Sequence, residues 1–255
     1  RNKIVLNPDE GDLASLHTGE GRLPSLDRII NSIKKSFNQK LFFENMNILV
    51  TAGPTREAID PVRFISNRSS GKMGFSIAKV SKEYGGNIDL VTGPVNLLDI
   101  PQVNIIKIET AMEMYNNIKL LLNNKKYDYI FMVAAVADYN IINIPDKKIK
   151  SESNNINIQL QKSPDILKEI AKKSDGKIIG FALETNNGEK NALEKLNKKG
   201  LDYIVLNYAN EENAGFDSNT NHVFLFSKKG LKKEFKLDRK DRIAKLIIDN
   251  IIKDD

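Results

Sequence analysis

The 255-residue chain carries a net charge of +6, with 40% apolar and 28% charged residues, a balance ordinary for one large α/β domain or a domain with an appendage. Cysteine is absent, which excludes disulfides, thiolate catalysis and Cys-ligated zinc or iron–sulfur sites, and the two histidines, His17 and His222, lack the spacing of a metal centre or a Ser-His-Asp hydrolase. No apolar run is long enough to span a bilayer and no signal peptide opens the chain, so the expectation is a cytoplasmic protein with no membrane partner.

The chain opens on Arg1, as a fragment or a processed chain would. A short strand is predicted at 3–6, then a polar and Gly-rich stretch to residue 24. A helix follows, capped by Ser25, with Leu26, Ile29, Ile30, Ile33 and Phe37 on one face at helical spacing. Residues 1 to about 45 are too few for a core of their own and read as the end of another domain.

From Asn47 strands and helices alternate. Strands are predicted at 47–52, 87–92, 103–108, 127–134, 177–183 and 202–207, and helices at 72–84, 111–123, 164–173, 189–199 and 239–252. Thr110 and Glu113 form a capping box, Pro164 takes a first-turn position, and Gly85-Gly86 ends the first of these helices. The alternation predicts a Rossmann-like three-layer α/β sandwich with a mainly parallel sheet. Two segments depart from it: an antiparallel excursion within 139–162, signalled by Ile156, Ile158 and Leu160, and a late hairpin at 222–237 turning at Lys228-Lys229-Gly230.

In such a sheet ligands bind at the carboxyl ends of the strands. The first of these ends is followed by Thr51-Ala52-Gly53-Pro54-Thr55, a polar loop with Arg63 and Asn67, and Ser69-Ser70-Gly71-Lys72-Met73-Gly74 at a helix start. A strand, a Gly/Ser loop and a helix N-terminus make a phosphate site, because unpaired N–H groups and the helix dipole face the anion. Lys72 is followed by Met73, so this is no Walker A sequence, and a helix entry packed closely through Gly74 is the competing reading. Arg63 suits a carboxylate or phosphate and Asn67 a carbonyl, against a surface arginine and a turn-forming asparagine. Ala134, Ala135 and Asp138 follow another strand end; small residues admit a planar base, and Asp138 suits a ribose hydroxyl, a base amino group or Mg²⁺, or else caps a helix. Lys147, Lys148 and Lys150 form either a solvated run or a loop that brings a cation to a triphosphate. Lys195 and Lys199 share a helix face at a spacing where like charges repel; a bound polyphosphate explains the pairing, and so does a lysine-rich chain. The basic residues are not interleaved with aromatics, so nucleic acid is not an expected partner.

These motifs occur in order: TAGPTRE, DPVRFISNRSSGKMG, AAVADY, Lys147-Lys148-Ile149-Lys150, Ser163-Pro164-Asp165-Ile166-Leu167 and GFALETNN. Together they resemble the phosphopantothenate–cysteine ligase family, the synthetase half of a bifunctional coenzyme A biosynthesis protein, over about 46–255. Residues 1–25 are similar to the tail of its flavin-dependent decarboxylase half, leaving 26–45 as a helical linker. That tail is a clamp bearing a cysteine in the family, where Ser15 stands here. FMN belongs to the decarboxylase half, whose flavin site is not in this sequence.

The resemblance implies ligation of 4′-phosphopantothenate to L-cysteine through an acyl-cytidylate made from CTP, with Mg²⁺ as the metal partner of the nucleotide. It implies that Asn67 holds the acyl-cytidylate with support from Arg63, and that Lys148, or Lys147 in a shifted register, stabilises charge as the intermediate forms. Gly53, Ser70, Gly71, Ala134, Ala135, Asp138, Pro164, Asp165, Ile166, Leu167, Phe181, Lys195 and Lys199 are implied around CTP. A homodimer through about 139–162 is implied, with a larger oligomer through the decarboxylase half. The rival expectations are an NADP-dependent oxidoreductase on the same sheet and a non-catalytic nucleotide-binding module.

Overall fold

The computed structural model describes residues 5–12, 17–37, 41–150, 156–211 and 218–255. The chain divides into two compact units, 1–41 and 42–255, so the division falls inside the segment read as a linker.

In the first unit β1 (Asp9–Asp12) pairs antiparallel with β2 (Thr18–Arg22), and α1 (Leu26–Phe37) follows. Ser25 caps α1 as expected, its Oγ accepting from the Arg28 N–H at 3.3 Å. Asp9 in turn accepts from the Ser25 N–H at 3.0 Å and pairs with Arg28. The strand expected at 3–6 is not observed at residues 5 and 6; 3 and 4 lie outside the described residues, as does Ser15. Pairing starts instead at Asp9, the residue tied to the helix start. Leu26, Ile30 and Ile33 on the apolar face of α1 are exposed.

Near the start of the second unit Phe43 is buried against Tyr84 and Tyr129. Its elements in order are β3 (Asn47–Ala52), β4 (Arg56–Ala58), β5 (Phe64–Ser66), α2 (Lys72–Glu83), β6 (Asn87–Thr92), β7 (Asn104–Lys107), α3 (Ala111–Asn124) and β8 (Tyr129–Met132). Then come β9 (Tyr139–Ile141), β10 (Leu160–Lys162), α4 (Ile166–Lys173), β11 (Lys177–Glu184), α5 (Gly188–Lys199), β12 (Tyr203–Tyr208), β13 (Thr220–Ser227), β14 (Lys232–Arg239) and α6 (Lys240–Asp254).

Eight strands form the central sheet in the order β14-β13-β12-β11-β8-β3-β6-β7. The six from β12 to β7 are parallel; β13 and β14 join antiparallel as the expected late hairpin, turning at Gly230 with φ +96°. Among the parallel strands the order is that of the Rossmann fold, with the reversal between β3 and β8. Alternation of side chains splits the core in two. Ile48, Val50 and Ala52 of β3 face α2 and α6, while Leu49 faces the layer of α3, α4 and α5.

Three expectations need correction. The polar loop after β3 contains a hairpin, β4–β5, because Asp60 organises its turn by accepting from the N–H groups of Val62 (2.8 Å) and Arg63 (2.9 Å). Helix α4 starts at Ile166, with Asp165 as its cap accepting from the Lys168 N–H at 3.1 Å, so Pro164 precedes the helix. The excursion is a three-residue antiparallel pair, β9 with β10; Ile156 and Ile158 lie outside strands. The capping box at Thr110 and the stop at Gly85 (φ +92°) are as expected.

Candidate functional site: a two-lobed cleft at the sheet's switch point

The residues after β3 and those after β8 are stitched into one wall. Thr51 Oγ1, fully buried, accepts from the N–H groups of Val133 (3.0 Å) and Ala134 (3.1 Å). Thr55 Oγ1 accepts from the Ala137 N–H at 2.9 Å, and the Ala135 N–H donates to the Gly53 carbonyl at 2.9 Å. Asn67 closes the seam, its Nδ2 donating to the Val136 carbonyl at 2.9 Å. These bonds divert the chain from the β8 ladder and leave the small residues Ala134 and Ala135 open to a ligand.

The start of α2 is drawn onto the same wall. Gly53 and Gly71 both hold φ near +72°, and a Cβ on either would meet Val95 Cγ1 at under 3 Å. A Cβ on Gly74 would come within 2.6 Å of the Ala52 side chain, so only glycine lets α2 approach the end of β3. The close packing read at Gly74 is what brings Ser69–Ser70–Gly71 beside the end of β3.

The cleft has two lobes. The larger, about 580 Å³, is lined by Gly53, Asn67, Ser70, Gly71, Ala134, Ala135, Asp138, Phe181 and Lys195 among the sequence-predicted residues. The smaller, about 290 Å³, is lined by Pro164, Asp165, Ile166, Leu167 and Lys199, and shares Ala134, Asp138, Phe181 and Lys195 with the first. Asp138 precedes β9 and caps no helix; its carbonyl accepts from the Ser163 N–H at 2.8 Å, which joins the lobes.

The two lysines of α5 take different partners. Lys195 Nζ donates to the Phe181 carbonyl at 2.9 Å, and Lys199 pairs with Asp165. Burial pushes the Lys195 ammonium below the usual lysine value, with Glu184 opposing and Lys199 adding to the shift. Burial works to raise the Asp165 carboxyl, but Lys199 and the Lys168 N–H outweigh it and hold it below the usual range.

Two predicted residues lie elsewhere. Arg63 donates through Nη2 to Asp60 at 2.5 Å and to the Ile149 carbonyl at 2.9 Å, and Lys148 is exposed; neither lines either lobe. Sequence reading missed Lys240, Asn221 and Lys162 as cleft residues. Lys240 alone carried a signal, since a lysine in the first turn of α6 opposes the helix dipole. Among the described residues no group of three or more His, Asp or Glu is placed to hold a metal, and no helix is long and apolar enough to cross a membrane.

The family described as DNA/pantothenate metabolism flavoprotein C-terminal domain matches residues 43–254, which is nearly all of the second unit. The chain belongs to that family. Within it, the chain is 41% identical over 97% of its length to the coenzyme A biosynthesis bifunctional protein CoaBC of Borreliella burgdorferi, and it spans 63% of that protein. The crystal structure of the C-terminal domain of CoaBC is 35% identical, with a TM-score of 0.70, covering 84% of this chain and 99% of that one. A Cab2 mutant in complex with phosphopantothenate-cysteine, 17% identical with a TM-score of 0.65 over 89% of this chain and 94% of that one, shares the fold. The Rossmann-like sheet of this family member is therefore the expected one, with an antiparallel hairpin added at one edge.

Proposed function

We propose that the second unit is a phosphopantothenate–cysteine ligase of coenzyme A biosynthesis that uses CTP. The carboxylate of 4′-phosphopantothenate attacks the α-phosphorus of CTP, pyrophosphate leaves, and the cysteine amine then displaces CMP from the acyl-cytidylate to form the amide. The observation that carries this reading is the two-lobed cleft at the switch point, which gathers all but two of the residues the resemblance implies.

In this reading the bare backbone at Ala134–Ala135 receives the planar base, Asp138 holds the ribose or base, and the smaller lobe extends the nucleotide site to Pro164–Leu167. The N-terminus of α2 with Ser70 and Gly71, together with Lys195 and Lys199, receives triphosphate oxygens. Asn67 sits where the amide seam meets the cleft and orients the mixed anhydride. Mg²⁺ would neutralise the triphosphate; among the described residues Asp138 is the one carboxylate lining the larger lobe, which suits a cation held chiefly by phosphate oxygens and water.

Arg63 and Lys148 belong to a different face in this reading. Phe64, Ile65, Tyr139, Ile142, Ile144 and Leu160 are exposed apolar residues on the β4–β5 hairpin and the excursion. Covering them in a homodimer would bury the patch and put Arg63 and Lys148 at the contact, within reach of a second copy's cleft. L-cysteine is the second substrate, and the flavin chemistry lies in the half of the relatives that this chain does not span. The test is direct: mass spectrometry of a reaction lacking cysteine should show the acyl-cytidylate.

A further inference from the structure

Glu57, in β4, is a carboxylate only 5% exposed that lines neither lobe of the cleft. Its Oε1 accepts from the Ala111 N–H at 2.9 Å, so it sits on the N-terminus of a helix far along the chain, α3. The neighbouring Arg56 N–H donates to the Glu109 carbonyl at 2.8 Å, a second tie to the same segment.

The helix does not require Glu57 as its cap. Thr110 Oγ1 accepts from the Glu113 N–H at 3.1 Å and Glu113 accepts from the Glu109 N–H at 2.8 Å, a capping box complete within the helix's own sequence. Burying a carboxylate is costly unless it is hydrogen-bonded in a favourable field, and the helix N-terminus supplies both the donor and the positive end of the dipole. What the bond adds is direction. It fastens β4 to a helix whose Met114 and Ile118 are themselves buried in the core.

Three links run from β4 to the groups assigned to ligation. Thr55, just before β4, takes the Ala137 N–H on its Oγ1 and the Ser66 hydroxyl on its carbonyl. β4 pairs with β5 residue by residue, Arg56 with Ser66, Glu57 with Ile65 and Ala58 with Phe64, and Asn67 leaves β5 directly. Across the turn, Asp60 and Arg63 hold the backbone of Ile149 beside Lys148. A hairpin with three residues in each strand is marginal by itself in water, so its place depends on tertiary anchors.

We propose that Glu57 is a positioning residue: it fixes the β4–β5 hairpin on the N-terminus of α3 and thereby holds Asn67 and the loop of Lys148 in place for the reaction. The step it serves rests on the ligase reading; the anchoring does not.

Amide hydrogen exchange on the full chain reads the anchoring, and acyl-cytidylate formation from CTP, 4′-phosphopantothenate and Mg²⁺ reads its consequence. Glu57→Met fills the space without an acceptor. It should speed exchange at Ala111 and also at Ala137 and Ile149, whose N–H groups are held by Thr55 and Asp60. Glu113→Ala opens the capping box without touching the hairpin, so it should speed exchange only at the start of α3. Glu57→Met should slow acyl-cytidylate formation roughly tenfold to a hundredfold, the scale of a misplacement by about an ångström, with the KM for CTP close to the parent's. Glu57→Gln keeps the acceptor and should restore both readouts. Glu57→Asp keeps the charge but is one methylene short, so it should behave as Glu57→Met does, and it decides the matter if Glu57→Met does not fold. The proposal is overturned if Glu57→Met speeds exchange only in α3, as Glu113→Ala does, or if the folded Glu57 variants all form the adduct at the parent's rate. The predicted exchange pattern in a chain whose parent forms no acyl-cytidylate keeps the anchor and removes the ligase reading.

Discussion

The Arg63 guanidinium and the Asp60 carboxylate form a two-point clamp: Arg63 Nη2 lies 2.5 Å from Asp60 Oδ2, and each partner also holds the backbone of Ile149. Asp60 accepts the Ile149 N–H at 3.1 Å and Arg63 donates to the Ile149 carbonyl at 2.9 Å. The hairpin turn and the lysine loop are thus one mechanical unit, and Lys148 is positioned by residues that never enter the cleft of their own chain.

The clamp gives a pH signature. Arg63 beside it holds the Asp60 carboxyl well below the usual carboxylate range, aided by the N–H groups of Val62, Ile149 and Arg63 and opposed by burial. A depressed carboxyl contributes stability that is fully present above the unfolded value of about 3.9 and is lost as pH falls from there towards the folded value. Thermal unfolding followed from pH 7 to pH 3 should therefore drop more steeply at the acid end for the parent than for Asp60→Asn. Identical slopes would show that the pair does not couple to folding.

Thr51 provides a test of the cleft wall. Thr51→Val keeps the shape but leaves the Val133 and Ala134 N–H groups without their acceptor, at a cost of about 2–4 kcal/mol, whereas Thr51→Ser should cost far less. Chemical denaturation measures the difference. Loss of nucleotide affinity in Thr51→Val, restored in Thr51→Ser, is the expected companion result.

Lys195 should separate stability from binding. Its folded pKa is below the unfolded one, so the unfolded chain binds more protons between the two values and stability rises with pH across that window. Lys195→Met removes the desolvated ammonium, so it should flatten that rise and leave the unfolding temperature at neutral pH equal or higher. The same variant should bind CTP at least tenfold more weakly, with CMP much less affected. A parallel loss for CMP and CTP would contradict the triphosphate role.

The apolar face predicts an assembly. Ile144→Glu, on an exposed position of the excursion, should shift the chain from dimer to monomer in sedimentation velocity without lowering its unfolding temperature. A parent chain that sediments as a monomer at high concentration would contradict the dimer.

What could be read in advance follows from the physics of each signal. The inner parallel strands are buried on both faces and their helices carry one apolar stripe, so periodicity and end signals located them within a few residues. The β4–β5 hairpin was invisible because its turn is made by the Asp60 side chain and not by Gly or an Asn-Gly pair. In the cleft, Gly53, Asp138 and Lys195 were legible because each follows a strand or repeats on a helix face, whereas Asn67 was singled out only by the ordered motifs of the resemblance. Asn221 was not legible, since it reaches the cleft through the register of an antiparallel hairpin, a long-range property that no local pattern encodes.

The central claim is tested by incubating the chain with 4′-phosphopantothenate, CTP and Mg²⁺ but no cysteine, and reading products by mass spectrometry alongside pyrophosphate release. The account predicts the acyl-cytidylate with stoichiometric pyrophosphate, and its conversion to phosphopantothenoylcysteine and CMP once cysteine is added. Asn67→Asp, which sets a carboxylate against the Val136 carbonyl, should accumulate little of it. A folded chain that binds CTP yet releases no pyrophosphate and forms no adduct would contradict the ligase and leave a nucleotide-binding module in its place.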